Sequence, residues 1–281
     1  MSIIGVDLGG TNVRAGLVEG GRLARVETAA VHGDGPEKAV LEDIFGVIDP
    51  LIGAGIEGIG VGVPSVVDLK GGVIYDVQNI PSWKKVPLKA LLEERYRIPS
   101  YVNNDANCFA TGEKYFGKGK PYDNFVGLIL GTGLGAGIIA NGRLFSGANC
   151  GAGEFGMLPY KDRNFEYYAC GQFFKNVHGT SGKALAERAR KGDAAAMAVF
   201  CEFGGHLGQA MKAVLYAADP EVVILGGSVS KSYALFKDAM WKAMQDFAYS
   251  ITLQKIRVEI SETENIAVLG AAALYLDALA Q

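Results

Sequence analysis

Residues 3–16 read IIGVDLGGTNVRAG. An apolar run passes through Asp7, turns at Gly9-Gly10-Thr11 and resumes after Asn12. The alternation on either side predicts strands at 3–6 and 13–18, and 22–28 adds a third after Gly20-Gly21. Glycines at the turn leave no Cβ to hold a ligand away, so the backbone N–H groups lie open. Phosphate oxygens suit such a surface, and the Thr11 hydroxyl adds a donor. Asp7, just before the turn, is placed to hold Mg²⁺ through water, because magnesium takes few carboxylates and keeps its waters.

The same pattern returns at 125–145, FVGLILGTGLGAGIIANGRLF: apolar strand, Gly-Thr-Gly turn, apolar strand, then Asn-Gly and a further strand. A third glycine pair, Gly226-Gly227, closes a buried strand in VVILGGSVS (222–230). GTGLGA at 131–136 also fits the G-x-G-x-x-A dinucleotide fingerprint, with Glu154 at about the usual ~20-residue distance. That fingerprint must open a helix, and GIIANGRLF continues as a hairpin, so a dinucleotide site is rejected. A lone glycine turn is best read as a tight hairpin with no ligand. Two copies and a third glycine pair outweigh that reading.

Between the turns, residues 36–52 and 87–96 carry helical periodicity, and IEGIGVGVP (56–64) reads as a buried strand stopped by proline. YVNN (101–104) is a strand that runs straight into a helix beginning DANCFATGEKYFG. Further helices are predicted at 181–191, 194–218, 232–249 and 265–279, with Ser181, Asp193 and Ser232 as N-caps, and RVEI (257–260) is a strand. Strand–turn–strand–strand followed by helices and strands thus occurs twice. This duplicated α/β plan assigns 1–117, completed by 265–281, to one domain and 118–264 to another. With no flexible linker, the halves are expected to face each other across a cleft.

Composition narrows the function classes. The chain has 281 residues, is 49% hydrophobic and 20% charged, and has a net charge of -3. Such a chain buries real cores, and without a long basic block neither nucleic acid nor a membrane surface is an expected partner. No apolar stretch reaches the ~18 residues of a spanning helix, and no leader pattern precedes the first strand, which predicts a cytoplasmic protein. Cys108, Cys150, Cys170 and Cys201 have no C-x-x-C spacing and read as reduced thiols.

DLGGTN, VNNDAN, GTGLGAG, GEFG and LGGSVS, in this order, resemble the ROK sugar kinases of the actin/hexokinase/Hsp70 superfamily. The resemblance implies an actin-like, ribonuclease H-like ATPase fold, ATP and Mg²⁺ as cofactors, a small-molecule sugar as substrate and a homodimer. By matching position, Asp7 would serve the metal, and Gly9, Gly10, Thr11 and Asn12 the phosphates. Thr132 and Gly133 would serve the nucleotide phosphates, and Gly226 and Gly227 the turn beside adenosine. Asp105 matches the general base, while Asn104 and Asn79, the latter within QNIPSW, match sugar ligands. Residue chemistry agrees, since phosphoryl transfer needs positioning, charge neutralisation and one carboxylate to take a proton. Asp105 follows a strand at a helix N-terminus, where the macrodipole favours its ionised form; its bland reading is an N-cap.

The chain departs from the family at one segment. Family members carry E-x-G-H and then a Cys-rich zinc segment ending G-C-x-E, whereas here the first motif is Glu154-Phe155-Gly156-Met157. Only LPYKDRNF separates Met157 from EYYACGQFF, so the zinc segment is deleted and no structural zinc is expected. Glu166 aligns with the last glutamate of that segment and Cys170 with a small residue. Glu154, Glu166 and Met157 are therefore the candidate sugar contacts. Methionine cannot donate a hydrogen bond, so the contact near the anomeric end is missing or apolar. The expected reaction is phosphorylation of a hexose hydroxyl, O6 of glucose first. A β-glucoside, N-acetylglucosamine, N-acetylmannosamine or fructose are the alternatives. The rival class is a ROK-type sugar-responsive regulator, which would carry a winged-helix extension of about 80 residues before the first loop.

Overall fold

The computed structural model describes residues 1–77 and 79–280. The opening stretch forms β1 (Ser2–Leu8), β2 (Asn12–Glu19) and β3 (Arg22–Ala30), followed by α1 (Glu37–Ile48) and β4 (Ile56–Val63). Three short strands come next, β5 (Val66–Asp68), β6 (Val73–Tyr75) and β7 (Lys85–Val86), then α2 (Leu88–Tyr96), β8 (Ser100–Asn104) and α3 (Asp105–Phe116). The repeat supplies β9 (Phe125–Leu130), β10 (Leu134–Ala140) and β11 (Arg143–Phe145). A small hairpin, β12 (Pro159–Tyr160) and β13 (Arg163–Asn164), leads into α4 (Phe165–Ala169), α5 (Gln172–His178), α6 (Gly182–Arg190) and α7 (Ala194–Ala218). The chain ends with β14 (Val222–Gly226), α8 (Gly227–Ser230), α9 (Tyr233–Met244), α10 (Ser250–Lys255), β15 (Arg257–Ile260) and α11 (Ile266–Leu279).

The chain divides into two compact units. Unit 1 comprises residues 1–121, 139–152 and 262–281, and unit 2 comprises 122–138 and 153–261. The sheet of unit 1 has the order β3-β2-β1-β4-β8. In it β1 runs antiparallel to β2 and parallel to β4. Its inner strands are buried on both faces, which is why IIGV and IGVGV read as unbroken apolar runs. The glycines in those runs mark where α11 lies against the sheet. A Cβ on Gly5 would stand 2.0 Å from the Val268 carbonyl oxygen, and one on Gly60 only 1.7 Å from that of Ala271. Helix and sheet meet backbone to backbone there, and α11 answers with Gly270, Ala271, Ala272 and Ala273.

Within unit 2, β10, β9, β14 and β15 lie side by side, repeating the order β2-β1-β4-β8. Its core is aromatic: Phe173, Phe174, Phe200, Phe203 and Phe236 form one buried cluster. Ser181 and Asp193 cap α6 and α7 as the sequence predicts, Ser181 accepting from Ala184 N–H and Asp193 from Ala195 and Ala196 N–H. Ser232 differs. It makes no cap for α9, and its Oγ takes the Arg190 guanidinium at 3.4 Å. The helix predicted over 232–249 also stops at Met244, where Phe247 turns into the core and Asp246 pairs with Lys212 at 2.6 Å. The strands β5–β7 and β12–β13 and the helices α4 and α5 escape the sequence reading because they are too short to show a period. Among the described residues, no helix is long and apolar enough to cross a membrane.

Candidate active site

Unit 1 carries the first glycine loop. Asp7 stands opposite Arg14 in the β1–β2 register and Leu8 opposite Val13. The Gly9 N–H donates to the Asn12 carbonyl at 2.9 Å, which closes the turn, and Val31 N–H secures the Thr11 carbonyl at 2.9 Å. Burial pushes the Asp7 carboxyl above its ordinary range, with Arg14 acting weakly the other way. A partly buried carboxylate of this kind is a fit donor for a hard divalent ion. Asn79 lies against this loop: a Cβ added to Gly10 would stand 2.9 Å from the Asn79 Cβ. Asn79 is itself exposed, and the turn that carries it is anchored by fully buried Ile80 and Trp83. The indole N–H of Trp83 reaches the Glu37 carbonyl at 3.3 Å. The tryptophan of QNIPSW therefore fixes where its asparagine points, while Gln78 of that motif lies outside the described residues.

The handover from β8 to α3 is the second feature of unit 1. The N-cap is Asn104, whose Oδ1 accepts from Ala106 N–H at 2.9 Å and whose amide donates to the Ser65 carbonyl at 3.3 Å. Asp105 occupies the first helical position, with Oδ1 2.8 Å from the same Ala106 N–H. The capping duty that the sequence offers to Asp105 thus falls chiefly to its neighbour. Cys108, one turn on, is held protonated by burial first and then by the Asp105 and Asp7 charges.

Unit 2 carries the second glycine loop, built differently. Each of its three carbonyls is tied back into the fold. That of Gly131 accepts from Gly171 N–H at 2.8 Å, that of Gly133 from Gly131 N–H at 3.1 Å, and that of Thr132 from the Cys170 thiol at 2.8 Å. Burial pushes Cys170 up to about 11, so it keeps the proton it donates. With its carbonyls turned inward, the loop presents the positive side of its peptide dipoles, which suits an anion. Glu166, from α4, accepts from Leu134 N–H at 3.0 Å at the foot of the loop, and a Cβ on Gly133 would meet its Oε2 at 2.5 Å.

Glu154 sits between two glycines pressed on β10. A Cβ on Gly153 would stand 2.3 Å from the Ala136 carbonyl, and one on Gly156 2.5 Å from that of Leu134. Glu154 has an open face, yet the surrounding protein, and after it the Glu166 carboxylate, raise its carboxyl above the ordinary range. Met157 ends the short turn, 51% exposed, with its sulfur 3.9 Å from the Asn164 amide. Gly226 ends β14, and Gly227 has φ +83°, where a Cβ would stand 2.4 Å from the Leu130 carbonyl. Beside Gly131, Thr132 and Ser228 opens a cavity of about 870 Å³, walled by Phe174, Val229 and Phe200.

The structure therefore gathers Asp7, the Gly9–Asn12 loop, Asn79, Asn104 and Asp105 on unit 1. On unit 2 lie Thr132, Gly133, Glu154, Met157, Glu166, Gly226 and Gly227. Sequence reading missed Cys170 as a loop support and the Phe174 and Phe200 walls, which carry no local signal beyond their apolar character. His178 and His206 flank Glu202 at 3.1 and 3.6 Å, away from the glycine loops in sequence.

The chain is similar to several sugar kinases. A glucokinase of Thermotoga maritima is 27% identical over 98% of this chain and 97% of its own. An N-acetyl-D-glucosamine kinase of Vibrio cholerae is 31% identical over 97% of the chain and 99% of its own. The crystal structure of a ROK family glucokinase from Streptomyces griseus, in complex with glucose and AMPPNP, superposes with a TM-score of 0.80 at 28% identity, covering 98% of this chain and 99% of that one. The ROK family pattern itself runs through residues 3–278, and the chain belongs to the ROK family.

Proposed function

We propose that the protein is a sugar phosphotransferase that moves the γ-phosphate of ATP to a hexose hydroxyl, O6 of glucose first, with Asp105 as the general base. The observation that carries the reading is the β8–α3 corner, where Asn104 provides the cap and Asp105 stands in the first helical turn beside it. A helix N-terminus favours a carboxylate in its ionised form, the form that takes the proton of an attacking hydroxyl. Asn79 and Asn104 are the proposed ligands that orient the sugar, with Glu154 and Glu166 as further acceptors of sugar hydroxyls. The second loop, with its carbonyls tied inward, offers N–H dipoles to the nucleotide phosphates, and the turn at Gly226-Gly227 admits the nucleoside. Asp7 is the residue that would hold Mg²⁺, which supplies charge neutralisation on the transferred phosphate when bound.

A coupled assay with ATP, Mg²⁺ and glucose, N-acetylglucosamine, N-acetylmannosamine, fructose or cellobiose tests the reading. ADP formation with at least one sugar is expected, and none with any sugar would defeat it. Asp105→Asn should lower kcat by about 10²-fold or more while sugar binding persists. Substrate choice is proposed to turn on Met157. Met157→His should lower KM for free glucose by a few fold, up to ~10-fold, and reduce any activity on β-substituted glucosides. An unchanged KM and an unchanged preference would remove Met157 from the sugar site. Elemental analysis of chelator-washed protein tests the proposed lack of structural zinc.

A further inference from the structure

Beneath the Asp105 corner lies a buried hydrogen-bond junction centred on Asn103, which is 7% exposed. Its Oδ1 accepts from three donors: the Asn104 N–H at 2.8 Å, the Asn107 amide at 2.8 Å and the Cys150 thiol at 3.2 Å. Its own amide donates to the Ser146 hydroxyl at 3.3 Å. Four side chains from three segments are involved: the end of β8, the first turn of α3 and residues 146–150. A carbonyl oxygen has two lone pairs and here meets three donors, so its accepting capacity is fully used and the junction is specified rather than incidental. The third segment is held in shape as well. Ala152 N–H closes it onto the Ser146 carbonyl at 3.2 Å, and Cys150 takes a left-handed φ of 59°.

A buried amide is an expensive choice for a strand position that a valine would fill, and here it leaves the Asn107 Oδ1 without a partner among the described residues. What the junction secures is the peptide plane between residues 103 and 104. That plane aims the Asn104 side chain at its capping bond and sets the backbone direction at Asp105. We propose that Asn103 is a positioning residue for phosphoryl transfer, fixing the corner that carries Asp105 and tying it to the loop from which the chain runs on to Glu154. The inference rests on the reading of Asp105 as the base.

Three variants test it in the full-length protein, by steady-state kinetics across pH together with thermal unfolding. Asn103→Leu removes every bond of the junction and should lower kcat by roughly 10–100-fold, with KM for ATP unchanged, since a displacement of about an ångström in a reacting group has effects of that order. Asn103→Asp keeps an acceptor for all three donors. It should recover most of that loss at pH 8 and move the acid limb of the kcat–pH profile upward, because a second carboxylate two residues away favours protonated Asp105. Val40→Ala, in the α1 core, should lower the melting temperature with kcat per folded molecule unchanged. Parent kcat in Asn103→Leu, or an unshifted acid limb in Asn103→Asp, would overturn the proposal. If Asn103→Leu does not fold, the acid limb of Asn103→Asp decides alone. Asp105→Asn separates the two claims. Its full activity would defeat the base assignment and this inference together, whereas its inactivity beside a fully active Asn103→Leu would defeat the positioning role only.

Discussion

The two glycine loops occupy equivalent places in a repeated strand order, yet they obtain their carboxylates in opposite ways. The first carries Asp7 on its own strand, facing Arg14 across the hairpin. The second has only apolar residues in the strand before its turn, FVGLIL, and takes its acid, Glu166, from 32 residues downstream. The supports differ in the same sense. Both loops close on themselves, the first through Gly9 and Asn12 and the second through Gly131 and Gly133, but the second is tied further by Gly171, Cys170 and Glu166, all from outside the hairpin. A duplicated plan thus preserves the turn and lets the surrounding chain supply different chemistry. In the proposed reading the acid of the first loop is the metal's ligand, while that of the second is partly a strut, bonded to Leu134 N–H.

The largest expected effect separates those roles. Asp7→Asn should lower kcat by at least about 10²-fold with the fold intact, if its carboxylate holds the metal. Glu166→Gln should leave kcat less affected and raise the sugar KM instead. A larger kcat loss in Glu166→Gln than in Asp7→Asn would reverse the comparison.

Next in size is the collision built into each turn. Gly133→Ala should destabilise by about 1–3 kcal/mol, the usual cost of overpacking, because the new methyl meets the Glu166 carboxylate. In a Glu166→Ala background much of that cost should vanish, giving a coupling of more than about 0.5 kcal/mol in a double-mutant cycle. At the first loop the atom in the way is the Asn79 Cβ, so Asn79→Ala should give Gly10→Ala no such relief. Additive behaviour at the second loop, measured by denaturant unfolding, would show that Glu166 is no strut.

A smaller effect follows from one hydrogen bond. Glu166→Gln keeps an acceptor for Leu134 N–H but loses its charge, at roughly 1 kcal/mol and a Tm lower by about 2–4 °C. An unchanged Tm would leave Glu166 with a ligand role alone.

The smallest effect is one of pH. Burial raises the Asp7 pKa in the folded state from its ordinary 3.8, so the folded protein binds that proton more tightly than the unfolded chain. Stability then falls as pH rises from the ordinary value through the raised one, and the deficit is complete above it. Asp7→Asn removes the deficit, and its melting temperature should exceed the parent's at neutral pH. The gain should shrink on acidification and disappear below the ordinary carboxylate range. A gain that stays the same from the ordinary carboxylate value of 3.8 up to neutral pH would mean that desolvation of Asp7 is not its source.

Much of this molecule follows from its sequence because the deciding forces are short-ranged. Alternating apolar residues around Gly9-Gly10 and Gly131-Thr132-Gly133 fix the hairpins through local sterics. Ser181 and Asp193 mark helix starts because a cap reaches only two or three residues onward. The strand-to-helix handover at Asp105 is equally visible, but not that Asn104 would be the cap, since that depends on the Ser65 carbonyl 39 residues away. Tertiary structure alone decided that Cys170 would hold the Thr132 carbonyl across 38 residues and Cys150 the Asn103 amide across 47. It alone decided why Gly5 and Gly60 must be glycine, because the helix that excludes a side chain there begins at Ile266. The turns, and caps such as those of Ser181 and Asp193, follow from neighbours a few bonds away. The carboxylates, thiols and amides that support those turns are chosen by burial, which brings together groups that share no local pattern.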